Sequence, residues 1–164
     1  MVFDKPIIQN DLFEGIMGIH EYIKYQANLP LDVRKGIVLI SITEPDSSDY
    51  PDTLLSLGNP VYTSGYHDVL EMKFWDVEET IGTYTPLSDP QGKELREFII
   101  RNLGKKYLVH CRAGMSRSAG IGKAIECLVN YGGDTYTYST GHSDIGNYPR
   151  YFPNNTVYAK ILKG

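Results

Sequence analysis

The densest group of reactive side chains is Val109-His110-Cys111-Arg112-Ala113-Gly114-Met115-Ser116-Arg117-Ser118-Ala119-Gly120. An apolar, strand-like run ends at Cys111. After five intervening residues, Arg117 and Ser118 open a segment with helical pattern. A loop of this kind wraps the N-terminus of a helix, where backbone N–H groups converge and the helix dipole adds partial positive charge. A cysteine in such a field is favoured as a thiolate nucleophile. An arginine on the first helical turn presents a planar fork that can take two oxygens of a phosphate at once. Ala113 and Gly114 are small enough for the loop backbone to approach a ligand closely. With two cysteines and six arginines in 164 residues, a Cys-x5-Arg spacing arises by chance about 0.07 times, and about 0.002 times with a preceding histidine. A buried, inert cysteine at a strand end is the competing reading. The rarity of the pattern, and the strand before and helix after it, weigh against that reading.

His110-Cys-Arg-Ala-Gly-Met-Ser-Arg-Ser118 resembles the signature loop of the cysteine-dependent protein tyrosine phosphatases, and is most similar to their dual-specificity branch. The resemblance extends over roughly residues 36–162. It implies that Cys111 attacks phosphorus to form a cysteinyl-phosphate. The amides of Arg112, Ala113, Gly114, Met115, Ser116 and Arg117, with the Arg117 side chain, would hold the phosphate oxygens. Ser118 would stabilise the departing thiolate. His110 would orient the loop and tune the thiol rather than act as a base; a buried, satisfied histidine is nearly the same statement. The family also needs a general acid, because an ester oxygen leaves poorly unless protonated. By this resemblance the acid is an aspartate on a loop after a strand. Asp76, behind the strand-like run Val69–Phe74, fits best, with Glu78, Glu79 and Asp89 as alternatives. Phe74-Trp75-Asp76 is only partly similar to the tryptophan-proline-aspartate loop of the tyrosine-specific branch. Arg150-Tyr-Phe-Pro153-Asn154 resembles a segment whose asparagine supports the phosphate loop. Asn154 is equally suited to cap the following helix, and the two roles are compatible.

The elements that must position these residues can be read coarsely. Val2 to Ile8 reads as a short strand. Asn10 or Asp11 could cap a helix from about Leu12 to Tyr25, with Leu12, Ile16, Ile19 and Ile23 at helical spacing, although Gly15 and Gly18 weaken it. Gly36 to Thr43 is an apolar, β-branched run that predicts a buried strand. Glu44 to Pro51 reads as a loop, and Thr53–Leu57 as a candidate short helix. Ser88 or Asp89, with Pro90, starts a helix that Gly104 stops after Leu103. Lys106 to His110 is a short strand. A helix follows from about Arg117 to Tyr131 and ends at Gly132-Gly133. A loop rich in Gly, Tyr and Thr comes next, then a terminal helix over Pro153–Leu162. Alternating strands and helices predict an α/β fold with a central, mainly parallel sheet flanked by helices. The resemblance makes this a protein tyrosine phosphatase-like fold over one domain, residues 1–164.

Composition bounds the partners. Lys plus Arg number 16 and Asp plus Glu 20, for a net charge of −4. That argues against nucleic acid or an anionic membrane as partner, since both are bound by basic faces. Two cysteines exclude a disulfide scaffold. His20, His67, His110 and His142 lack metal-ligand spacing, so neither a metal nor a cofactor is expected. Cys127 reads as core packing, with a redox partnership to Cys111 as the alternative. No apolar run nears a membrane span, and the first residues do not read as a signal peptide. A cytoplasmic monomer acting on a phosphorylated protein is the expectation. A single basic residue within the loop, Arg112, argues against a highly phosphorylated inositol ring as substrate. Two readings of other classes stand beside a phosphatase: a phosphopeptide-binding module without turnover, and a rhodanese-like sulfurtransferase or arsenate reductase.

Overall fold

The computed structural model describes residues 6–45, 63–141 and 143–164. Within them, β1 (Phe13–Gly18), β2 (Ile37–Thr43), β3 (Asp68–Lys73) and β4 (Lys106–Cys111) form one sheet in the order β1-β4-β2-β3. All three pairings are parallel. Parallel strands need crossovers that lie on the sheet faces, which buries the sheet on both sides. Every residue of β2 is buried accordingly. Successive side chains of a strand point to opposite faces. Val38, Ile40 and Ile42 thus enter one apolar cluster, and Ile37 and Leu39 the other.

The first cluster is closed by α3 (Asp89–Arg101), α4 (Arg117–Tyr131) and α7 (Asn155–Lys163), through Leu95, Phe98, Ile121, Ile125, Val157 and Ile161. The second is covered by α1 (Ile19–Ala27), which contributes Ile19 and Tyr22. Short helices α2 (Leu31–Arg34), α5 (Thr135–Thr140) and α6 (Asp144–Asn147) complete the described chain.

Several expectations hold closely. α4 has the predicted bounds, and its stop is built from Gly132 and Gly133 at φ 61° and 88°, a left-handed conformation that glycine adopts without strain. α3 opens on a capping box: Ser88 accepts from the Gln91 N–H while the Gln91 side chain accepts from the Ser88 N–H.

The predicted helix over Leu12–Tyr25 is a correction. Its first half is strand β1, and α1 begins only at Ile19. Asn10 does accept from the Leu12 and Phe13 amides, but as a turn that leads into a strand. Leu12, Ile16 and Ile19 have helical spacing, but in the fold Leu12 and Ile16 face one apolar cluster and Ile19 the other, and pairing with β4 decides the element. No strand covers residues 6–8, and residues 1–5 lie outside the described chain, as does the candidate helix at Thr53–Leu57. The loop after Gly133 contains α5 and α6, which the sequence does not announce.

Candidate active site

Strand β4, inside the sheet, carries Cys111 at its C-terminal end, where its register partner on β1 is Gly18. Residues 112–116 then turn into α4. Gly114 sits at φ 74°, and a Cβ there would lie 2.3 Å from the Gly18 nitrogen. No other residue type fits this turn. The result is a loop folded tightly over its own cysteine. The Gly114 N–H donates to Cys111 Sγ at 3.3 Å, and Ser118 Oγ lies 3.1 Å from the same sulfur. The loop's carbonyls are held from outside. Ile19 N–H donates to the Arg112 oxygen, Phe152 N–H to that of Met115, and Asn154 N–H to that of Ser116. Carbonyls engaged outward are the complement of amides turned inward, the arrangement of an anion nest.

Arg117 is only 3% exposed. Its Nη1 donates to the Phe74 carbonyl at 2.9 Å and its Nη2 to Glu44 Oε1 at 2.9 Å. The Nε has no hydrogen-bond partner among the described residues. Burial works against the guanidinium charge, but the Cys111 and Glu44 charges beside it outweigh burial and hold its pKa above the ordinary value. The guanidinium therefore stays a cation with donor capacity left over. An oxyanion over Cys111 would use that capacity.

His110 is fully buried and stacks on Tyr22, with ring centroids 4.7 Å apart. Burial, helped by the Arg117 charge, depresses its pKa to about 3 against the opposing effect of a backbone hydrogen bond at Cys111. A neutral ring inside the core is not placed to act as a base.

Asp76 follows β3 and is brought to the loop. Its Oδ1 accepts from Ser116 Oγ at 2.8 Å and from Asn154 Nδ2 at 3.1 Å. Its Oδ2 has no such partner among the described residues. One oxygen of Asp76 is thus anchored against the loop. The alternatives lie elsewhere: Glu78 accepts from the Asn155 amide at 3.4 Å, Glu79 is exposed, and Asp89 sits at the start of α3, 3.7 Å from Lys160. Asn154 caps a helix and also touches the cysteine loop, through different atoms. Its Oδ1 caps α7 through the Thr156 and Val157 amides. Its backbone holds the Ser116 carbonyl, while its Nδ2 reaches Asp76 and the Val77 carbonyl.

Two features escape the sequence reading. One is Glu44, the buried counter-ion of Arg117, which the composition of its segment marks only as loop. The other is a relay beneath the loop. Arg150, 1% exposed, pairs with Glu21, which accepts from the Gly18 N–H. Gly18 in turn packs so closely on the Arg112 carbonyl that a Cβ would come within 2.8 Å of it. Cys127 is buried in α4 among core residues. Among the described residues no group of His, Cys, Asp and Glu is placed to hold a metal ion, and no helix is long and apolar enough to cross a membrane.

The backbone aligns with the crystal structure of Tk-PTP in the active form, at 18% identity and a TM-score of 0.50, over 91% of this chain and 86% of that one. The chain has a protein tyrosine phosphatase-like fold. In this phosphatase-like fold the cysteine loop follows strand β4, inside the sheet, and the segment with Asp76 follows the edge strand β3. Two further structures are similar. Human tyrosine phosphatase-like serine/threonine/tyrosine-interacting protein is 19% identical, with a TM-score of 0.49, over 84% of this chain and 82% of that one. The Yvh1 phosphatase domain of Chaetomium thermophilum is 17% identical, with a TM-score of 0.48, over 97% of this chain and 93% of that one. Neither a protein-family model nor a curated protein sequence matches the chain.

Proposed function

We propose that this chain is a metal-independent phosphatase, one domain over residues 1–164. It hydrolyses phosphate monoesters of protein tyrosine, with serine and threonine esters as further substrates. The observation that carries the reading is the Cys111 sulfur. It lies under an amide donor and a hydroxyl, in a loop closed by a buried arginine whose Nε has no hydrogen-bond partner among the described residues.

The reaction has two steps. The Cys111 thiolate attacks phosphorus, an S–P bond forms and the P–O ester bond breaks. Asp76 gives its proton to the departing oxygen. The inward amides of Arg112 to Arg117 and the Arg117 guanidinium hold the three equatorial oxygens. Water then attacks the cysteinyl-phosphate, Asp76 takes a proton from it, and the thiolate leaves with the Ser118 hydroxyl donating to it. Phosphate departs and Asp76 is again protonated. The acidic surface and the absence of a membrane-spanning helix among the described residues fit a cytoplasmic protein. It acts as a monomer on phosphoproteins, without nucleic acid or membrane as partner.

The test is steady-state hydrolysis of phosphotyrosine peptide in the presence of a chelator. Wild type should retain full activity. Cys111→Ser should lose turnover but keep binding of tungstate, because the amides and Arg117 remain. Loss of wild-type activity to chelator would overturn the mechanism. Thiosulfate–cyanide transfer without ester hydrolysis would favour the sulfurtransferase class. Phosphopeptide binding without turnover by wild type would favour a binding module.

A further inference from the structure

We infer that Phe152 is the aromatic wall of the site, the side chain on which the ring of a phosphotyrosine packs, and that it sets a preference for aryl over alkyl phosphate esters. This inference rests on the phosphatase reading above. Phe152 is 66% exposed, while its neighbours Arg150, Tyr151 and Asn154 are 1%, 5% and 2% exposed. One large apolar side chain is therefore held out in solvent by an otherwise buried segment. Scattered exposed apolar residues are ordinary on protein surfaces. This one differs in that its backbone is hydrogen-bonded to the loop that carries Cys111.

The Phe152 N–H donates to the Met115 carbonyl at 2.8 Å, and the Asn154 N–H to the Ser116 carbonyl at 3.0 Å. Asn154 Nδ2 also reaches Asp76 at 3.1 Å. The segment thus lies against both the loop that would hold the phosphate and the residue that would protonate the leaving oxygen. An ester substituent that leaves the loop beside Asp76 would pass this segment, and Phe152 is its exposed aromatic side chain. An aryl ring gains area and an offset or edge-to-face contact with a phenyl group. A serine ester has no ring to offer. Because the backbone of residues 150–154 is already pinned, little ordering is needed when substrate arrives.

The experiment compares Phe152→Ala and Phe152→Trp with wild type on a phosphotyrosine peptide and on the same peptide carrying phosphoserine. It reads kcat and KM separately. Peptide and tungstate affinities are measured in parallel in the Cys111→Ser background. Phe152→Ala should raise KM and Kd for the phosphotyrosine peptide about tenfold, which is about 1.4 kcal/mol. The shift on the phosphoserine peptide should stay under threefold and that on tungstate under twofold. Phe152→Trp should stay near wild type on both peptides. An equal loss on both peptides, or no loss on phosphotyrosine, overturns the inference. If wild type hydrolyses neither peptide, the catalytic reading fails, and the binding comparison still decides the role of Phe152. Retained tungstate affinity shows that the variants are folded.

Discussion

Glu44→Ala should expose how strongly the site depends on one buried ion pair. The Glu44 and Arg117 side chains are 6% and 4% exposed, and their charged atoms are 2.9 Å apart. Arg117 cannot escape the loss by shedding its proton, because a guanidinium keeps its proton in a folded protein even without a partner. Removing the carboxylate leaves a buried cation with the Phe74 carbonyl as its hydrogen-bond acceptor among the described residues. Breaking a buried pair in this way costs about 3–5 kcal/mol, a large part of the roughly 5–15 kcal/mol that stabilises a domain. For a chain of 164 residues this is a fall in Tm of about 6–20 °C. Glu44→Gln keeps an acceptor oxygen and should lose less, about 1.5–3 kcal/mol. Tungstate restores an anion beside Arg117, so at saturating tungstate Glu44→Ala should recover more stability than wild type gains. Thermal and urea unfolding with and without tungstate measure all three quantities. A Glu44→Ala variant within 1 kcal/mol of wild type would refute the reasoning, as would a tungstate effect no larger than in wild type.

Three further outcomes follow from the same geometry. Asp76→Asn should slow a series of phosphate esters in proportion to the basicity of the leaving oxygen, by up to about 10²–10⁴-fold for alkyl esters; equal slowing of good and poor leaving groups would remove Asp76 from the acid role. Gly114→Ala, which puts a Cβ 2.3 Å from the Gly18 nitrogen at φ 74°, should abolish tungstate binding measured by calorimetry, and retained affinity would contradict the tight turn. His110 stays neutral in the fold down to about pH 3, whereas in the unfolded chain it takes up a proton near 6.5. The unfolded state therefore binds more protons between those values. The stability His110 contributes is present above about pH 6.5 and is lost as pH falls toward 3. From pH 7 to pH 5 this loss is about 2 kcal/mol, and it should vanish from the urea midpoints of His110→Gln; an unchanged pH slope in that variant would contradict the assignment.

The parts legible in the sequence are those set by local pattern. β2 and β4 are apolar runs too short for helices, α4 runs from Arg117 to a glycine pair, and Ser88 with Gln91 writes a helix start. The cysteine loop is legible for the same reason, since its chemistry is packed into consecutive residues. β1 was open to misreading because Leu12, Ile16 and Ile19 keep helical spacing across the junction of a strand and a helix. What chooses is a pairing of Gly18 with Cys111, 93 positions away. Glu44 and Arg117 are 73 positions apart, and Glu21 and Arg150 are 129 apart. No local rule links such partners, so the support under the loop emerges only when the chain is folded. Asp76 and Asn154 fall between these cases. Each carries a local signal, a loop after a strand and a helix cap, while their contact with one another does not.

The central claim is that phosphate passes through Cys111. Intact-mass and peptide mass spectrometry on enzyme mixed with an aryl phosphate and quenched in acid within the first turnover tests it directly. The account predicts one phosphoryl group on Cys111, accumulating further in Asp76→Asn and absent from Cys111→Ser. Turnover with no adduct, or an adduct on any other residue, would contradict it.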